Sequence, residues 1–268
     1  MNNDNIEKYF NCLIKDLHHN YINLLLDFDE EAIHQFRVSY KKISALSQLP
    51  LFEEHTHFRF NKKIKYIYHL LGHLRDQQIL YTNLINNLKQ APFNLYWFIN
   101  QLNKKKLKIK YLILLKQNSG LSKHYLNDLL INIKPNISKK KISHHIKMSI
   151  DKIRQVILSN KFDDYILHDL RKKIKYLYYF FTLKCLNHFH LSATLKFMVA
   201  DLATISSKLG EIQDYCFQID ELNPNKLSKI PLEENLLLQT IREAWIDKKN
   251  KLKIKLILEL KVLLTRFI

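Results

Sequence analysis

Three observations predict an all-α protein. The chain of 268 residues holds only three Gly and five Pro, too few for the many turns of a β-sandwich or barrel. Apolar residues recur at three- and four-residue spacing through most of its length. Breaks in that pattern are few and far apart, so the helices between them are long.

The breaks define about eight segments in order. The first ends at Asp27 to Glu30, the second at Pro50 to Glu54 and the third near Ala91 to Pro92. The fourth contains "KLKIK" at 106 to 110, which alternates like a strand but continues into "YLILLK" without a turn, so it reads as helix. Breaks at Asn118 to Gly120 and Pro135 to Ser138 separate the fourth segment from the fifth. The fifth and sixth part at Asn160 to Asp163, and the sixth and seventh at Asn187 to Leu191. The eighth follows Asn223 to Pro231 and carries a second "KLKIK" at 251 to 255, again read as helix.

The two halves echo each other. "IHQFRVSYKKI" (33 to 43) matches "LHDLRKKIKYL" (167 to 177), "LGHLRD" (71 to 76) matches "LGEIQD" (209 to 214), and "KLKIKYLILLK" matches "KLKIKLILELK". Order is kept, and Gly72 and Gly210 take equivalent places. The simplest organisation is two four-helix units, 1 to 118 and 138 to 268, joined by a break at 118 to 137.

With side chains advancing about 100° per residue, His34, Arg37 and Lys41 share one face of the second helix, while Ile33, Phe36, Tyr40 and Ile43 share the opposite one. The sixth helix repeats this, with His168, Arg171, Lys172, Lys175 and Tyr179 opposite Leu167, Leu170, Ile174, Leu177 and Phe181. The third helix adds Arg59, Lys62, Tyr66, His69, His73 and Asp76 along a broad stripe with Lys65 at its edge. A solvated face usually mixes signs at i and i+4, and the two duplicated stripes do not. Unpaired cations repel unless an anion meets them, and Arg and Lys one turn apart suit successive phosphates. His69 and His73 have a metal-compatible spacing, but no second ligand cluster supports it and no metal is expected.

A net charge of +18, from 43 Lys plus Arg against 25 Asp plus Glu, favours polyanionic partners. Cys12, Cys185 and Cys216 stand in separate apolar settings and read as reduced, buried thiols. With no signal-peptide pattern and no membrane-length apolar run, the expected location is cytoplasmic.

The signature V/I-H-x-x-R-x-x-x-R/K-R/K, followed by L-G-x-x-x-D and then by the same order again beginning L-H-x-L-R-x-K/R-x-K, resembles the CHAD domain, the conserved histidine α-helical domain. The resemblance covers essentially the full chain, 1 to 268. It implies two four-helix bundles about a pseudo-twofold axis, with a basic channel that binds inorganic polyphosphate; that the binding is non-catalytic is expected from the residues themselves. On the matching positions it implies contacts from His34, Arg37, Lys41, Lys42, Lys65 and Arg75, and from His168, Arg171, Lys173 and Lys175. Lys62 and Lys172 join them from the stripes, with Asp76, Asp214 and Tyr179 in support. The chain departs from the family pattern at Ser44, Tyr176 and Tyr178, where arginine is frequent, and at Ala203, opposite Lys65. Lys173 lies off the His168 stripe, so wheel and resemblance disagree there.

Two other readings compete. A nucleic-acid binder would use "KKKLKIK" and "KKNKLKIK" with stacking aromatics, although no helix-turn-helix, RNP or zinc-finger signature is present. An enzyme on phosphate chains would need an acidic Mg²⁺ cluster, a GxxxxGK[ST] loop or an alternating E-x-E-x-K strand, and the basic stripes offer none. The expected partners are inorganic polyphosphate and other polyanions, with polyphosphate granules as a candidate location and no cofactor.

Overall fold

The structure, a computed structural model, describes residues 3–47, 60, 62–88, 95–117, 139–182 and 193–266. Among these residues it forms eight α-helices and no strand: α1 (Asn3–Asp27), α2 (Glu30–Ser47), α3 (Lys62–Leu88), α4 (Tyr96–Gln117), α5 (Lys139–Leu158), α6 (Asp164–Thr182), α7 (Ala193–Glu221) and α8 (Leu232–Arg266). A single 3₁₀ turn, Pro224–Lys226, joins α7 to α8. Both "KLKIK" stretches are helical, in α4 and α8. The breaks expected at 50 to 54, 91 to 92, 118 to 120, 135 to 138 and 187 to 191 lie outside the described residues, as do Arg59 and Cys185.

Two breaks share one local chemistry. Phe28 takes a left-handed φ of 57° after α1, and Asp29 then accepts backbone N–H bonds from Glu31 (2.9 Å) and Ala32 (3.2 Å), which starts α2. Asn160 takes φ 52° after α5, and Asp163 accepts from the N–H of Ile166 at 2.8 Å to start α6. Asp29 and Asp163 are thus N-caps of corresponding helices.

Neighbouring helices pack in chain order, α1 on α2, α2 on α3 and α3 on α4, then α5 on α6, α6 on α7 and α7 on α8. The halves meet where α2 touches α6 and α3 touches α7. Ile33, Phe36, Ile43 and Leu46 of α2 are fully buried, as are Leu170 and Ile174 of α6. Each such side chain contributes about 1.5–3 kcal/mol. Their sum outweighs the several kcal/mol that a partly desolvated cation costs on the other side of the same helix.

Buried apolar residues form two clusters, and each draws on both halves. The larger joins α1, α2, the first part of α3 and the last part of α4 to α5, α6, the first part of α7 and the last part of α8. The smaller lies at the far ends of the long hairpins, where Leu80 and Leu84 of α3, Phe98 and Leu102 of α4, Leu222 of α7, and Leu238, Ile241 and Trp245 of α8 meet. There Glu234 of α8 accepts the N–H bonds of Trp97 (2.9 Å) and Phe98 (3.0 Å), so one half caps a helix of the other. Asn83 of α3 donates to Gln218 of α7 at 3.1 Å beside it.

The thiols differ from expectation. Cys12 is exposed, on the solvent side of α1, and Cys216 is half-buried, its thiol pushed up to about 11 by burial and by Asp164. No described helix is long and apolar enough to cross a membrane.

Candidate functional site

Where α2 meets α6, with α3 as the third wall, a cleft of about 780 Å³ opens. Arg37 and Lys41 reach it from α2, and Arg171, Lys172 and Lys175 from α6. His69 and His73 of α3 and His168 of α6 add imidazoles, and Asp76 is the one carboxylate in the lining among the described residues. Among the described residues, none of these five cations has a carboxylate oxygen within 4 Å.

The two arginines share one kind of seat, a glycine on a neighbouring helix. Arg37 Nη1 donates to the Tyr68 carbonyl at 3.0 Å, and its guanidinium lies 4.8 Å from the Tyr68 ring centroid. Its seat exists because Gly72 lacks a side chain: a Cβ there would stand 2.7 Å from Nη1. Arg171 lies over Gly210 of α7 in the same way, with its Nη2 3.2 Å from where a Cβ would be. The glycine pair that marks the sequence repeat is therefore the pair of seats for the arginine pair. The Arg171 Nε is buried and has no hydrogen-bond partner. A buried donor left unpaired costs about 1–3 kcal/mol, which an incoming acceptor would remove.

The lysines feel this crowding. Burial first, then the charges of Lys175, Arg37 and Arg171, bring the Lys41 ammonium down to about 7. Burial, Arg171 and Arg37 bring Lys175 down to about 8, against the pull of Asp214. Burial raises the Asp76 carboxyl, opposed by Arg37, His73 and Arg171. His168 Nδ1 bonds Gln213 Oε1 at 2.6 Å, which fixes the ring with Nδ1 as the donor.

Under the cations lies an aromatic wall. Tyr40 stacks on Tyr68 with ring centroids 4.0 Å apart, and Lys175 Nζ sits 5.7 Å from the ring centroid of Tyr179. Tyr179 is buried, and that burial pushes its phenol up to about 12.

Of the residues expected at the site, Arg37, Lys41, Asp76, His168, Arg171, Lys172, Lys175 and Tyr179 come together in this cleft. The others do not line it. His34 stands exposed one turn before Arg37, its pKa lowered by partial burial and by Arg75, Lys175 and Lys41, against Glu31. Lys42 is half-buried on α2 outside the lining, and Lys62 and Lys65 are exposed on the α3 turns before Tyr68. Arg75 turns away to pair with Glu30 at 2.9 Å in a separate recess of about 390 Å³ that Asp214 and Glu211 also line. Asp214 sits with Arg75 there rather than in the cleft, its carboxyl raised chiefly by burial. Lys173 pairs with Asp169 on its own helix, as the helical wheel implies.

Sequence reading did not assign Tyr40, Tyr68 and Gly72 to the site; Tyr40 had been placed on the core face alone. Gly72 was marked only by its duplication, and Tyr68 lies one turn before it. The cleft is also lopsided, since α3 lines it and α7 does not. At the places matching Tyr68, His69 and His73, α7 has Ser206, Ser207 and Glu211, which offer neither ring nor cation. Among the described residues, no three His, Cys, Asp or Glu side chains are placed to hold a metal ion.

Comparison with curated proteins and with solved structures gave no match. A family model, described as the CHAD domain, matches residues 9–223, a span that includes every wall of the cleft and both arginine seats. On that match the chain belongs to the CHAD domain family.

Proposed function

We propose that this protein is a non-catalytic binder of inorganic polyphosphate and that the cleft between α2, α3 and α6 is its binding site. The observation that carries the proposal is five cations from both halves facing one cleft with no carboxylate paired to any of them among the described residues. A phosphate chain supplies repeated, closely spaced oxygens that accept from Arg37 and Arg171 and neutralise Lys41, Lys172 and Lys175. Membership in the CHAD domain family, which is associated with polyphosphate, supports the same ligand. The non-catalytic part rests on chemistry: among the described residues the lining offers one carboxylate, too few to hold Mg²⁺ and also act as a base. The two units, 1 to 118 and 138 to 268, are proposed as the repeats that bring one arginine each to the ligand.

Nucleic acid is the weaker reading because the tyrosines of the cleft are engaged. Tyr40 and Tyr68 stack on each other, Tyr176 bonds His145 at 2.8 Å, and Tyr179 is buried, so that among the described residues of the lining no open ring is left for a base.

The test is binding of long-chain polyphosphate in competition with single-stranded RNA across a salt series. Polyphosphate is expected to win, with affinity falling linearly in log salt as counterions are released. Arg37→Ala with Arg171→Ala should lower affinity at least about a hundredfold, at about 1.5–3 kcal/mol per charged hydrogen-bonding group. Lys251→Ala with Lys255→Ala, both exposed on α8, is the control. Lys249 cannot serve there, because it pairs with Asp164 at 2.7 Å. Equal losses in the two variants, or equal affinity for RNA, would overturn the reading. Imaging of a fluorescent fusion with and without cellular polyphosphate tests the proposed cytoplasmic granule location.

A further inference from the structure

Beside the cleft, α5 and α6 enclose a second recess of about 310 Å³. Lys152 of α5 faces Lys172 and Lys173 of α6 across it. Lys172 and Tyr176 line both this recess and the cleft, so the two are continuous around the surface of α6. Its charge is unbalanced: Lys173 is paired with Asp169, whereas among the described residues Lys152 and Lys172 have no carboxylate within 4 Å.

The floor of the recess is fixed by hydrogen bonds. His145 Nε2 and the Tyr176 hydroxyl lie 2.8 Å apart with their rings edge to face, and the Ser149 hydroxyl donates to the His145 carbonyl at 2.9 Å. Burial raises the Tyr176 phenol and lowers the His145 imidazole, with Lys152 and His144 adding to the second effect. Both rings are therefore neutral near pH 7, and the pair, which spends one proton on its own hydrogen bond, keeps one donor, the Tyr176 hydroxyl or the His145 Nδ1–H according to the tautomer, without adding repulsion to the lysines.

The matching positions of α2 carry a different set. Val38, Ser39 and Lys42 stand where the second half has Lys172, Lys173 and Tyr176, and Ser39 is buried with its hydroxyl accepting from Asn20 at 3.1 Å. Among the described residues, the run of lysines that leaves the cleft over α6 has no such counterpart at the matching positions of α2.

We propose that the recess between α5 and α6 is a second phosphate subsite, which receives the part of a polyphosphate chain that runs out of the cleft over Lys172 toward Lys152. The proposal rests on the polyphosphate reading of the cleft. It gives the protein a preference for chain length, because tripolyphosphate is neutralised within the cleft and a long chain gains additional charge-assisted contacts at the recess.

The measurement is affinity for tripolyphosphate and for long-chain polyphosphate, in the full-length protein and in Lys152→Glu. Lys152 is exposed, so its replacement leaves the core packing in place. The ratio of long-chain to short-chain affinity should fall about tenfold, and the salt dependence of long-chain binding should lose about one unit of slope. An unchanged ratio, whether Lys152→Glu affects both ligands equally or neither, overturns the subsite. Arg171→Ala, measured in parallel, separates the two ideas. If it weakens both ligands while Lys152→Glu leaves the ratio unchanged, the cleft reading stands and the subsite fails. If it weakens neither, the cleft reading itself fails.

Discussion

Lys41 and Lys175 carry the least comfortable charges in the molecule. Their native pKa values of about 7 and about 8 lie below the ordinary 10.5, chiefly because of burial. Between pH 7 and 10.5 the unfolded chain holds protons on these groups that the native chain lacks, so they make stability rise with pH across that window. Below about pH 7 both states are protonated and the native state bears the full repulsion. A bound polyanion reverses the preference and draws protons onto both lysines. Affinity is therefore expected to rise as pH falls from 9 to 7, with proton uptake that calorimetry in buffers of different ionisation enthalpy can read. Affinity and proton count that stay flat over this range would mean that the ligand does not meet these lysines. Gly72 gives a second expectation at the same scale. Gly72→Ala puts a methyl group 2.7 Å from a guanidinium end that can swing away, so the fold survives and gains up to about 1 kcal/mol of helix propensity. Arg37 leaves the Tyr68 carbonyl, and polyphosphate affinity should drop about tenfold while the thermal midpoint holds or rises. The duplicated glycines were visible in the sequence, but not their purpose, because the residues they seat lie 35 and 39 positions away on another helix.

At the scale of the helix, local chemistry was the legible part. The breaks at Asp27 to Glu30 and Asn160 to Asp163 could be read because an Asp cap acts on N–H groups two or three residues on, within the reach of a sequence pattern. Asp163→Ala should cost about 1 kcal/mol of stability in urea unfolding with an unchanged m-value, while anion affinity stays near that of the parent because His168 lies more than a turn beyond the cap. A loss of affinity as large as the loss of the arginines would show that the cap also sets the register of α6. The face of α6 was legible too: His168, Arg171, Lys172, Lys175 and Tyr179 all line the cleft, as a 100° rotation per residue requires. α3 was read less well. Its wheel groups Lys62, Tyr66 and His69, but only the turns from Tyr68 to Asp76 line the cleft, and no property of α3 alone marks where the cleft stops. Arg75 is lost to the site for a similar reason, since its partner Glu30 belongs to another helix 45 residues earlier.

Across the whole molecule, the all-α class and the duplicated signature could be read because composition and repetition are properties of the chain itself. The distal cluster could not, because it joins residues such as Leu84 and Trp245 that are far apart in sequence and carry no shared pattern. That cluster makes a thermodynamic expectation possible. Trp97 and Trp245 are the only tryptophans, and both belong to it, whereas the anion cleft lies over the other cluster. Tryptophan emission therefore reports the far end of the molecule, and far-UV circular dichroism reports all its helices. α3 and α7 run through both clusters as continuous helices, and losing either end would expose apolar faces at the other. The two signals should therefore share one thermal midpoint. Long-chain polyphosphate at about a hundred times its dissociation constant adds about 2.7 kcal/mol to the native state, which for a chain of this size raises the midpoint by roughly 5 to 10 °C. Both signals should move together, although the ligand touches nothing near the tryptophans, and in the Arg37→Ala, Arg171→Ala variant at the same ligand concentration neither should move by more than about 2 °C. A shift in circular dichroism with an unmoved tryptophan transition would mean that the distal cluster melts independently and that the continuity of α3 and α7 does not couple the two ends.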